Sequence, residues 1–230
     1  MTRTLAAVRR LLARRYGPPP PPPSSDPFEL VFWEQVAYLV DDQRRRAAFD
    51  LLRRRVGTAP ADIAAAPGKV LREIAAAGGP IGVTERAERM QRSADLVLDR
   101  WQGDLRRALE LPMAQARREL AKFPMIGEPG AEKILLFTGT RAVLALESNG
   151  LRVLLRLGYG REEKNYRAMY RGVQAAAAPE TRPEAEWLIG QHLLLRTHGQ
   201  ETCRRGAPAC EVCPLTRLCD YFQRTARGRA

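Results

Sequence analysis

"CRRGAPACEVCPLTRLC" runs from Cys203 to Cys219 and holds all four cysteines of a 230-residue chain, spaced C-x6-C-x2-C-x5-C. Four thiols packed this closely have three possible uses. Two disulfides could staple the segment. Disulfide scaffolds, however, are short secreted chains with cysteines spread throughout, and this chain is neither. Four thiolates can surround one zinc ion. They can equally hold an iron–sulfur cluster. The thiols alone leave the two metal readings open, and the flanking "HGQETC" and "CDYF" bear on the choice below.

Outward from this stretch the chain reads as helix almost throughout. Ala, Leu and Arg dominate the composition, and all three favour helix. Helical periodicity or helix-like composition marks residues 28–40, 42–56, 70–77, 84–109, 113–122, 130–137, 149–157, 166–174 and 183–197. No strand pattern and no internal repeat is evident, so the expected class is all-α with short connections. Six prolines, Pro18 to Pro23, follow Gly17 and form a polyproline II spacer after an N-terminal segment. That segment is Arg-rich, with Leu5, Val8, Leu11 and Leu12 on one side. It lacks the apolar core and cleavage site of a secretory signal, and it reads as a helix packed on the rest.

The formal net charge is +12, from 38 basic and 26 acidic residues. A surplus of this size points to a polyanion, nucleic acid first. Only Lys69, Lys122, Lys133 and Lys164 among the basic residues are lysines. No run of about 18 apolar residues exists, so no membrane-spanning helix is expected.

Three further stretches carry chemistry. "FPMIGEPGAEKILLF", residues 123–137, reads as a helix end, a tight turn and a second helix. Such a turn directs backbone N–H groups outward, and the next helix adds its positive end, so phosphates can be held without reading bases. It could also be a hairpin of packing value only. In "ALESNGLRVLLR", residues 145–156, Glu147 stands where a helix begins. From the residues alone it reads as a helix cap. In "DPFELVFWEQVAYLVDD", residues 26–42, Glu34 stands among Val31, Phe32, Trp33, Val36 and Ala37. A carboxyl in apolar surroundings has a raised pKa, as a general acid needs, while a solvent-facing Glu on an amphipathic helix is the plain alternative.

The cysteine spacing with its flanks resembles the [4Fe–4S] loop of the endonuclease III and MutY class of DNA glycosylases. The hairpin resembles that superfamily's helix–hairpin–helix, with Met125 where the usual Leu-Pro-Gly-apolar-Gly has its first glycine. The resemblance extends over residues 26–222. It implies a two-lobed helix–hairpin–helix glycosylase fold. Residues 1–25 form an N-terminal helix and linker, and 26–145 a central bundle with the hairpin at about 113–137. Residues 1–16 with 146–230 form a lobe bearing the cluster loop, 203–219. It implies duplex DNA as partner, bound across the cleft with a base flipped into it, and a monomeric, cytoplasmic, nucleoid-associated protein.

Residue by residue, the resemblance implies that Cys203, Cys210, Cys213 and Cys219 hold a [4Fe–4S] cluster of structural purpose. Arg204, Arg205 and Arg217 of that loop could meet phosphates. Pro124, Met125, Ile126, Gly127, Gly130 and Lys133 would grip phosphates, and Tyr38, Leu39, Asp41, Asp42 and Gln43 are local candidates for filling the flipped base's gap. The position of the nicking lysine in bifunctional members is Pro129 here, so strand nicking is not expected. Glu147 falls on the catalytic Asp, Asn149 on the Asn beside it, and Arg152-Val153 on an Arg-Val pair. Glu34 falls on the acid that protonates the leaving adenine in the MutY type. The expected function is therefore base release by a monofunctional DNA glycosylase, using a water positioned by a carboxylate. The alternative is a DNA-structure binder that keeps the scaffold without the chemistry.

Overall fold

The computed structural model describes residues 3–227; residues 1, 2 and 228–230, which the expected domain bounds include, lie outside it. Helix makes up 66% of the structure, and no strand forms among the described residues. No helix among them is long and apolar enough to cross a membrane. The chain forms two compact units, Pro22–Arg141 and Met1–Pro21 with Ala142–Ala230.

The second of these units begins with α1 (Leu5–Tyr16), capped by the Thr4 side chain, which accepts from the Ala7 N–H. The chain leaves it through Gly17 at φ 78°, a backbone state that glycine adopts without strain. The first unit then runs through α2 (Pro27–Gln35), α3 (Asp42–Arg55), α4 (Pro60–Ala65) and α5 (Gly68–Ala77). It continues with α6 (Val83–Trp101), α7 (Arg106–Glu110), α8 (Met113–Leu120) and α9 (Glu128–Phe137). Asp26 starts α2 sharply: its carboxylate accepts from the Phe28 and Glu29 N–H groups, and Pro27 presets the first helical φ. Phe28, Phe32, Phe49, Leu52, Met90 and Ile134 are fully or nearly fully buried. Each such side chain contributes about 1.5–3 kcal/mol of hydrophobic stabilisation.

Three features differ from the periodicity. The helix expected over 28–40 ends at Gln35. Gly78 approaches its end so closely that a Cβ there would lie 2.0 Å from the Val36 carbonyl oxygen. The buried Arg86 guanidinium donates to the carbonyls of Val36, Gly79 and Ile81, and so holds the two loops together. The segment expected as one helix over 84–109 is two, because Gln102 and Gly103 take left-handed φ values of 54° and 83°. Asp104 then accepts from the Arg106 N–H and starts α7. The short α4 went unread, although Pro60 at its first position is a start signal.

The other unit resumes with α10 (Ser148–Leu157), α11 (Tyr166–Ala177), α12 (Ala185–Glu201) and α13 (Asp220–Arg227). α12 packs on both α10 and α1. The α10–α12 contact requires Gly199, where a Cβ would lie 2.7 Å from the Asn149 carbonyl oxygen. Tyr16, at the end of α1, bonds His198 Nδ1 at 2.9 Å and Thr202 Oγ1 at 2.7 Å, which ties the N-terminal helix to the start of the cysteine loop.

Candidate active site and nucleic-acid interface

Glu147 is the N-cap of α10. Its Oε1 accepts from the Gly150 N–H at 2.7 Å and its Oε2 from Asn149 Nδ2 at 2.8 Å. The capping role is thus present, and it leaves the carboxylate aimed and half-buried. Asn149 is fixed in turn. Its Oδ1 accepts from Arg152 Nη2 at 2.8 Å, and the same nitrogen donates to the Gly199 carbonyl at 2.7 Å. Arg152 Nε donates to the Cys203 carbonyl at 2.9 Å. One guanidinium therefore joins the Glu147 turn, α12 and the first cysteine of the loop. Burial, above all, lowers the Arg152 pKa, and the Cys203 and Glu147 charges act against that.

The hairpin keeps its left-handed turn without the glycine. Met125 sits at φ 72°, with its side chain exposed and its Sδ 3.2 Å from Arg89 Nη1. The Pro124 carbonyl accepts from Gln35 Nε2 at 2.9 Å, which fastens the turn to α2. Ile126 is not a surface contact: its side chain is buried and its N–H donates to the Phe123 carbonyl. It anchors the turn, and Met125 and Gly127 are the exposed residues. Gly127 is the N-cap of α9, which starts at Glu128 rather than at Gly130, with Pro129 in the first turn. Gln43 is exposed in the first turn of α3, while Tyr38 and Leu39, the latter 75% exposed at φ 51°, form the tip of the preceding loop.

Glu34 and Lys133 meet. Lys133 Nζ donates to Glu34 Oε1 at 2.7 Å, with side-chain exposures of 16% and 24%. Glu34 is thus paired with an ammonium rather than standing alone among apolar groups. Lys133 makes this ion pair in the structure.

The four thiols line one small pocket together with Val153, Leu157 and Leu215. Arg156 Nη1 lies 3.2 Å from Cys203 Sγ, His198 Nε2 3.5 Å from Cys213 Sγ, and the Leu215 N–H 3.4 Å from the same sulfur. Arg156 Nη1 and the Leu215 N–H thus direct donors at sulfur, while Cys219 Sγ faces the Arg156 carbonyl at 3.4 Å. Burial, with the neighbouring cysteines, pushes the Cys213 thiol up to about 11, so this sulfur needs a cationic group to ionise at neutral pH. The cavity and its donor set fit a cluster, although no three His, Cys, Asp or Glu among the described residues are arranged as ligands of a metal ion.

No family model matches the chain. It is similar to endonuclease III of Rickettsia prowazekii (strain Madrid E), 27% identical over 111 residues, or 47% of this chain and 48% of that one. It is also 27% identical over 119 residues to endonuclease III of Sulfolobus acidocaldarius, covering 52% and 51%. The chain thus spans about half the length of the curated relatives it matches. Among solved structures, a non-covalent endonuclease III–DNA complex aligns with a TM-score of 0.73 at 22% identity, over 98% of this chain and 100% of that one. A thermostable thymine-DNA glycosylase aligns with a TM-score of 0.74 at 16% identity, over 96% and 95%. The chain has the fold of these endonuclease III structures.

Within this endonuclease III-like fold, two features had no place in the sequence reading. Arg152 was matched only as part of an Arg-Val pair, and its bridging role depends on the approach of α12. Ile81 is half-exposed and lines a pocket with Tyr38, Arg89 and Met125, next to the hairpin turn. Its signal was a lone isoleucine after Gly-Gly-Pro, too short to register as a period.

Proposed function

We propose that this protein is a DNA N-glycosylase that releases a base by hydrolysis, acting as a monomer on duplex DNA. The observation that carries this is the Glu147 turn. A carboxylate held by Gly150 and Asn149, with Asn149 held by Arg152, has the rigidity that stabilising a sugar cation and steering a water to C1′ require. The exposed Met125–Gly127 turn and the Gly130 end of α9 would take phosphates, with Gln43 and the Tyr38–Leu39 tip beside the strand.

Cys203, Cys210, Cys213 and Cys219 would hold a [4Fe–4S] cluster whose contribution is to close their loop, with no part in hydrolysis. Pro129 carries no amine, and Lys133 is engaged by Glu34, which supports base release without strand nicking. Glu34 is not assigned as the proton donor, for the reason given above.

A panel of lesion duplexes, with and without alkaline cleavage, tests the reading. Base release on at least one lesion, alkali-dependent nicking, and no crosslink with borohydride are expected. A borohydride-trapped crosslink that disappears in Lys133→Ala would overturn the hydrolytic assignment. The second reading is a DNA-structure binder without chemistry. It is favoured by the fact that both Glu147 oxygens already accept hydrogen bonds. Binding without base release on every lesion would establish it.

A further inference from the structure

Tyr166 is one of the few large exposed hydrophobic side chains, with 43% of its surface open to solvent. It is the first residue of α11, and the helix start beneath it is fixed by Asn165, whose side chain accepts from the Arg167 and Ala168 N–H groups. Its ring stacks on Tyr170 one turn along, with centroids 6.4 Å apart and planes 22° from parallel. Tyr170 is almost wholly buried. Its hydroxyl accepts from the Leu146 N–H and from Gln174 Nε2, both at 3.3 Å. Gln174 Nε2 also donates to the Leu144 carbonyl at 2.8 Å. The lower ring is thus bolted to the segment that ends in Glu147, and the upper ring stacks on it. Burial first, and then the Glu147 charge, raise the Tyr166 phenol pKa.

An exposed aromatic ring braced by a second, buried ring is a poor use of a helix start unless something covers it. The occupant is indicated by its neighbours. The chain's surplus of positive charge lies almost entirely in the unit that contains Tyr166. That favours a polyanion, and an unstacked nucleobase offers a flat face to a tyrosine whatever its identity.

We propose that Tyr166 is the stacking platform for the unpaired nucleobase brought to Glu147, a binding and specificity residue for the reaction. The proposal rests on the nucleic-acid reading above, and it does not require Glu147 to be catalytic. A ring at this site would favour bases with large stacking surfaces and penalise saturated, non-planar lesions.

The test uses the full chain carrying Glu147→Gln, so that any base release is suppressed. A duplex with 2-aminopurine opposite an abasic site reports stacking by fluorescence quenching, and anisotropy reports total binding. Quenching is expected with Tyr166 and with Tyr166→Phe, and about tenfold less affinity for the extrahelical base with Tyr166→Ala, within the range one base–aromatic stack carries. Binding to fully paired DNA should change less than twofold. Equal quenching and affinity in Tyr166→Ala and its parent would overturn the proposal, as would quenching lost equally in Tyr166→Phe. If no lesion yields base release while quenching still depends on the ring, the platform stands and the glycosylase reading falls.

Discussion

At the scale of single residues, two positions invite direct measurement. Met125 holds a left-handed φ of 72° that costs an ordinary residue about 1–2 kcal/mol. Glycine would remove that strain but adds about 0.5–1 kcal/mol of chain entropy. Met125→Gly should therefore be neutral or stabilising by up to about 1 kcal/mol. Met125→Val should be clearly destabilising, since a branched side chain tolerates this region worst. Urea midpoints at constant slope decide it. Glu147 separates its two roles by substitution. Glu147→Gln keeps an oxygen for the Gly150 N–H, so its stability should stay within about 0.5 kcal/mol of the parent, while Glu147→Ala loses the cap and about 1 kcal/mol. Both should lose base release in a single-turnover assay. Measurable release by Glu147→Gln at the parental rate would remove Glu147 from the mechanism.

At the scale of elements, α2 and α3 are tied by Glu29. Its carboxylate accepts from Arg53 at 2.5 Å, Ser24 at 2.6 Å and Thr58 at 2.8 Å. Burial would raise its pKa, but these hydrogen bonds outweigh that, and the pKa lies below the ordinary glutamate value. A depressed folded-state pKa gives stability that is complete above the unfolded value, about 4.3, and lost as pH falls through the folded one. Thermal stability should therefore drop below about pH 4. Glu29→Gln should be less stable at pH 7 and show a shallower acid decline; parallel pH–Tm curves for the two proteins would contradict this.

The helices themselves were largely legible, because each carries its own apolar spacing and cap. The break at Gln102 was not, since a non-glycine in left-handed conformation leaves no compositional mark beyond the Gly103 that follows. The site was legible one residue at a time. Glu147 and Glu34 could be singled out from their settings and Asn149 only through the resemblance, but the Glu34–Lys133 pair joins residues 99 apart in sequence, and only packing of α2 against α9 creates it.

At the scale of the whole molecule, charge is unevenly shared. The hairpin unit is close to neutral, and the unit with the cysteine loop carries most of the excess. If the chain binds DNA as proposed, the salt dependence of binding should come mainly from that second unit. Neutralising the exposed Arg204 and Arg205 together should reduce the slope of log K against log salt by about 2, whereas neutralising Arg54 and Arg55 of α3 should leave it nearly unchanged. Titrations at four salt concentrations measure both.

The Arg152 bridge also has a meaning for quality control. Its guanidinium can orient Asn149 only while the Cys203 carbonyl and the end of α12 are in place to receive its other hydrogen bonds. A chain whose cysteine loop has come undone would lose the aim of Glu147 at the same moment. Damage to the scaffold is thereby converted into silence rather than sloppiness. For a protein proposed to cut bases out of a genome, failing inert is the safer way to age.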